Sequence, residues 1–88
     1  MSLKEFADSL NLPYSGDIIN NEYIVDVDDS NKFSDLYTCI SSNDNLKVVG
    51  NSLATVDESK FYFTNGEFQV NLVADFDNDI YRLSIEVR

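Results

Sequence analysis

The sequence predicts a single α+β domain: a four- to five-stranded antiparallel sheet with a C-terminal meander, carrying an N-terminal helix and a second short helix on one face. Two observations point there. Apolar residues recur at helical spacing in the first half of the chain, whereas from Lys60 onward they alternate with polar ones. The dipeptide Asn65-Gly66 then separates two alternating runs, the strongest short-range hairpin signal. Leu, Ile, Val and Phe make up 28 of the 88 residues, enough for one core spanning 1-88, with an expected radius of gyration of roughly 12 Å.

Ser2-Leu3-Lys4-Glu5 has capping-box spacing, and Leu3, Phe6, Ala7 and Leu10 follow as one helical stripe that Pro13 ends. Tyr14–Asp17 reads as a turn. Glu22–Asp28 alternates, with Tyr23, Val25 and Val27 inward and an acidic outer face. Asp29-Ser30-Asn31 suits a turn or an N-cap. Residues 32–41 fit two periods: Phe33, Leu36, Tyr37 and Ile40 form a helical stripe, while Leu36, Thr38 and Ile40 alternate. The stripe and the cap signals make helix the adopted assignment.

Leu46–Val49 reads as a short strand, with Gly50-Asn51 as a turn or bulge before Leu53–Val56. A two-residue turn at Asn65-Gly66 places Phe63 opposite Phe68 and Phe61 opposite Val70. A four-residue loop, Asp77–Ile80, places Phe76 opposite Tyr81, Ala74 opposite Leu83, Leu72 opposite Ile85 and Val70 opposite Val87. On the outer face that register predicts an Asp75–Arg82 ion pair and sets Glu86 opposite Asn71.

Sixteen Asp and Glu against six Lys and Arg give a formal net charge of −10. Direct binding to nucleic acid needs a basic face and is not expected; a basic protein partner fits. The chain has no His and a single Cys, so a His-dependent catalytic pair and an internal disulfide are excluded. Cys39 lies in an apolar stretch, as an inert buried thiol would. With no Gly-rich phosphate loop either, no enzymatic activity and no cofactor is expected. No apolar run reaches the roughly 18 residues of a membrane span, and Met1–Leu12 lacks the features of a signal peptide. The expected compartment is the cytoplasm, that of a host cell if the protein is viral.

Asp75-Phe76-Asp77-Asn78-Asp79, with Glu86 at the twelfth position, resembles the calcium loop of EF-hand proteins. The resemblance implies Asp75, Asp77 and Asp79 as monodentate ligands and Glu86 as the bidentate one. Ile80 stands where that loop needs Gly, and the flanks read as strands. An extended Tyr81–Val87 carries Glu86 on the order of 20 Å from the turn. The expectation is therefore an acidic hairpin tip with no metal, weak calcium binding being a minor alternative.

The acidic residues have a pattern of their own. Asp26 and Asp28 stand at i, i+2, and Asp75, Asp77 and Asp79 repeat the interval, roughly 6.6 Å in extended chain. Such a row suits a groove built for phosphates. Gln69, Asn71 and Ser84 would add hydrogen bonding. In length, charge and the order helix, strand, helix, four-strand meander, the chain resembles the phage-encoded uracil-DNA glycosylase inhibitors, acidic proteins that occupy a DNA groove by imitating DNA. Their enzyme-contacting Glu-Ser pair has no counterpart at Asn21-Glu22-Tyr23. Small anti-CRISPR inhibitors share the same brevity and acidity. With that resemblance as precedent, the acidic pattern leads to the expectation of a non-enzymatic inhibitor that blocks a basic nucleic-acid-binding surface, its contact residues being the carboxylates Asp26, Asp28, Glu67, Asp75, Asp77, Asp79 and Glu86. The alternative is a structural, assembly or immunity-type module that docks through Ile18, Ile19, Ile24 and Val73.

Overall fold

The computed structural model describes residues 1–88, in the order α1 (Leu3–Ser9), β1 (Asp17–Ile19), β2 (Glu22–Val27), α2 (Ser30–Ser41), β3 (Lys47–Val48), β4 (Leu53–Ala54), β5 (Glu58–Thr64), β6 (Phe68–Asp75) and β7 (Ile80–Val87). The class is α+β, with both helices on one face of an antiparallel sheet and a radius of gyration of 12.1 Å. The sheet has seven strands rather than four or five, in the order β1-β2-β7-β6-β5-β3, with β4 also on β5.

The capping box forms as its spacing predicts. Ser2 Oγ accepts from Glu5 N at 3.1 Å, and Glu5 Oε1 accepts from Ser2 N at 2.9 Å. The helix ends before Pro13 because Asn11 takes a left-handed φ of 53°, a conformation Asn tolerates at a helix C-terminus. Residues 30–41 are helical. Asp29 caps them by accepting from Lys32 N at 2.8 Å, and Phe33, Leu36 and Ile40 are all buried. The helical stripe prevails over alternation here because only a helix brings those three side chains onto the sheet together.

The strand that the sequence reading lacked, β1, has a clear local cause, and the two short strands read at Leu46–Val49 and Leu53–Val56 form one split edge. Asn20 and Asn21 both adopt positive φ, 50° and 66°, as the two central residues of a type I′ turn do. They fold Asp17–Ile19 back onto Glu22–Ile24, so the segment after the Tyr14–Gly16 turn is a strand. Gly16 makes this return possible: a Cβ there would collide with the Ile24 carbonyl. At the opposite edge, Lys47 and Val48 pair with Thr64 and Phe63, and Leu53 and Ala54 pair with Lys60 and Ser59. Four residues on this edge thus face two on β5. Gly50, at φ +69°, sits in a bulge that splits one edge strand into β3 and β4.

Both hairpins differ from the expected register by two residues. Phe63 faces Val70 and Phe61 faces Leu72, because Asn65 accepts Glu67 N and Phe68 N on its side chain and Gly66 alone takes a positive φ, 96°. In the last hairpin Ala74 faces Tyr81, Leu72 faces Leu83 and Val70 faces Ile85. Phe76 leaves the ladder: its N–H donates to Asp57 O at 2.9 Å, and Asp75 closes the turn by accepting from Asn78 N and Nδ2. A shift of two preserves every face, so the apolar pattern is satisfied equally by either register. Turn hydrogen bonds decide between them.

The core lies between the helices and the inner sheet face. Phe68, Val70, Leu72, Leu83, Ile85, Val25, Leu36 and Ile40 are fully buried. Phe6 of α1 stacks on Phe68 with ring centroids 4.4 Å apart, and Tyr37 of α2 packs on Phe61 at 4.7 Å. No helix covers the other face. No helix is long and apolar enough to cross a membrane.

Candidate functional site

Strand direction gathers carboxylates at one end of the sheet. β2 ends, β7 begins, β6 ends and β5 begins at the same level, since Val27 faces Tyr81, Asp75 faces Ile80 and Glu58 faces Asp75. The connections at that level carry Asp28, Asp29, Asp57, Asp77 and Asp79. With Asp26, Glu58 and Asp75 they bring eight of the sixteen carboxylates to one end.

Three basic residues reach this end, and each is already engaged. Arg82 holds Asp26 through two bonds, Nε to Oδ1 at 2.7 Å and Nη2 to Oδ2 at 3.2 Å. Lys32 Nζ lies 2.7 Å from Asp28 Oδ1, and Lys60 Nζ lies 3.9 Å from Glu58. The Lys32 contact holds the Asp28 carboxyl below its ordinary range, by hydrogen bond first and charge second. Asp29, Asp57, Asp75, Asp77 and Asp79 have no cationic partner. One of them, Asp79, accepts from the hydroxyl of the buried Tyr81 at 3.3 Å. Burial first, then the charge and hydrogen bond of Asp79, then Asp29 and Asp75, raise its phenol above the ordinary value.

Of the residues expected at the site, Asp26, Asp28, Asp75, Asp77 and Asp79 meet at this end. Glu67 and Glu86 do not. Glu67 sits on the β5–β6 turn, 3.6 Å from the N-terminal ammonium, and Glu86 faces Gln69 near the end of β7. The evenly spaced acidic row is not formed either, since Asp77 and Asp79 lie in a turn where Asp79 has φ +51°. The turn clusters these charges. Asp29, Asp57 and Glu58 complete the cluster, and sequence reading missed them as members. Asp57 carried no local signal, because its place depends on the Phe76 bond to its carbonyl.

The expected Asp75–Arg82 pair is replaced by Asp26–Arg82, because Arg82 faces Val73 on β6 and Asp26 on β2. Gln69, Asn71 and Ser84 bond to one another at mid-sheet, at 2.8 and 3.4 Å. The four apolar residues of the alternative reading do not form one patch. Ile18 faces the helix side with Tyr23, whereas Ile19, Ile24 and Val73 lie on the open face, beside Glu22, Ser84 and Arg82 respectively.

No group of three or more His, Cys, Asp or Glu side chains stands close enough to hold a metal ion, and β7 carries Glu86 away from the Asp75–Asp79 turn. Cys39 is half-buried rather than buried. Its thiol donates to Leu10 O at 3.4 Å, and desolvation raises its pKa, which disfavours the reactive thiolate. The main depression at the acidic end is an open groove lined by Pro13, Tyr14, Ser15, Asp26, Val27, Asp28 and Lys32. Its two carboxylates are both in ion pairs. The arrangement gathers negative charge at one end of the sheet. No family model, no curated protein and no solved structure matches the chain.

Proposed function

We propose that the protein is a non-enzymatic binding protein that blocks a basic, nucleic-acid-binding surface of another protein, in the manner of a DNA mimic. The observation that supports this reading is the group of five carboxylates without a cationic partner, Asp29, Asp57, Asp75, Asp77 and Asp79, at one end of the sheet. A dense anionic end accelerates encounter with a basic groove and competes there with phosphates. A cytoplasmic setting, where such grooves are found, accords with this role.

The test uses the immobilised protein beside an Asp75→Asn/Asp77→Asn/Asp79→Asn variant, both exposed to host extract and eluted with duplex DNA. The expected result is a protein held by the wild type alone, released by DNA, whose association rate falls steeply as salt rises toward physiological strength. A rate indifferent to salt, or equal capture by the neutralised variant, overturns the proposal.

A further inference from the structure

β1 is an edge of the sheet, and no strand lies on its outer side. In a hairpin closed by a two-residue turn, the residues flanking the turn exchange both backbone bonds and the next pair exchanges none. Ile19 and Glu22 flank Asn20-Asn21, so Ile18, opposite Tyr23, turns its N–H and C=O away from β2. The other edge is broken by the Gly50 bulge and carries Lys47, two devices that discourage strand addition. β1 has neither. Its Ile18 and Ile19 are each 50% exposed, and Ile18 borders a shallow depression with Leu3 and Val87, itself 64% exposed.

We propose that β1 pairs with β1 of a second copy, antiparallel, about a two-fold axis through Ile18. Three features of the strand make it self-complementary. The outward N–H and C=O of Ile18 meet the same groups of the second copy, which gives two reciprocal hydrogen bonds. Ile18 then faces Ile18 on the helix side, and Asp17 faces Ile19 on the open side, so no carboxylate opposes another across the seam. Antiparallel pairing also sends the two acidic ends in opposite directions. This matters for chains of charge −10, whose mutual repulsion any self-association must overcome. A three-residue strand buries less than a standard interface, so the dimer is a weak one.

Sedimentation velocity from micromolar to millimolar concentration tests the proposal. A dimer is expected whose population rises with concentration and also with salt, because screening relieves like-charge repulsion. That response is opposite in sign to the salt dependence of the acidic end, so the two proposals fail separately. Ile18→Pro removes only an outward N–H, which edge strands tolerate, and Ile18→Asp places carboxylates face to face. Each should stay monomeric with an unchanged circular dichroism spectrum, while Val56→Asp, at a site 90% exposed and outside β1, should dimerise like the wild type. If one Ile18 variant fails to fold, the other decides. A wild type that stays monomeric at millimolar concentration in high salt leaves the edge to an extended segment of another protein, and overturns self-pairing. A dimer that persists in both Ile18 variants, or growth beyond the dimer, also overturns it.

Discussion

Arg82 on β7 grips Asp26 on β2 with two hydrogen bonds, 2.7 and 3.2 Å, while its neighbour on the other side is Val73. The pair is half-exposed, so its worth is that of a surface ion pair, about 0.5 kcal/mol. A double-mutant cycle with Asp26→Asn and Arg82→Gln, read by urea denaturation, should return a coupling of that size. The same cycle with Asp75→Asn in place of Asp26→Asn should return none.

Packing leads to much larger effects. Phe68 is fully buried and stacked on Phe6, so Phe68→Ala should cost about 3–5 kcal/mol, a large part of what holds a small domain folded. Ile40→Val, which removes one buried methylene, should cost about 0.5–1.5 kcal/mol. Val56→Ala, at a side chain 90% exposed, should stay within about 0.5 kcal/mol of wild type. Equal urea midpoints for Phe68→Ala and Val56→Ala would contradict the core described above.

Two carboxyls contribute to the acid limb of stability. The Ser2 backbone N–H holds Glu5 below its ordinary range, and Lys32 does the same for Asp28. A lowered folded pKa means that the folded state binds protons less readily than the unfolded one. The stability these groups contribute is present above ordinary carboxylate values, about 4, and is lost as pH falls through the lower folded values. Melting temperature should therefore drop as pH falls below the ordinary carboxylate range. Glu5→Gln and Asp28→Asn should each flatten that slope, and unchanged slopes would dismiss both contacts as contributors.

Calcium at tens of micromolar should leave the melting temperature unchanged. Ile80 occupies the position that needs Gly, and Glu86 faces Gln69, strand-bound and directed away from the turn. Crowded carboxylates alone bind calcium at millimolar affinity at best, and a ligand far below its Kd stabilises negligibly. A rise of several degrees would mean that the loop closes on Glu86 and that the last hairpin is not as described.

Much of this architecture follows from local sequence. Ser2 and Glu5 make their capping box, Asp29 makes its cap, and the alternation from Phe61 to Ile85 places every inner-face residue correctly, because these rest on contacts within a few residues or on a period of two. The Asn20-Asn21 turn was also legible, through the tolerance of Asn for positive φ, and would have exposed β1. Registers were decided elsewhere. A two-residue slip leaves the pattern intact, so the turn bonds, the Asn65 carboxamide accepting from Phe68 N and the Asp75 carboxylate accepting from Asn78, select among pairings. The sequence by itself determined that the chain is strongly acidic and which faces its strands bury. Tertiary structure alone decided which carboxylates stand together: Arg82 neutralises Asp26 across a pair 56 residues apart, Asp29 and Asp57 join Asp75–Asp79, and Glu67 and Glu86 are set apart. The reason is physical: charge proximity depends on strand direction and turn closure, and no periodicity along a single chain encodes either.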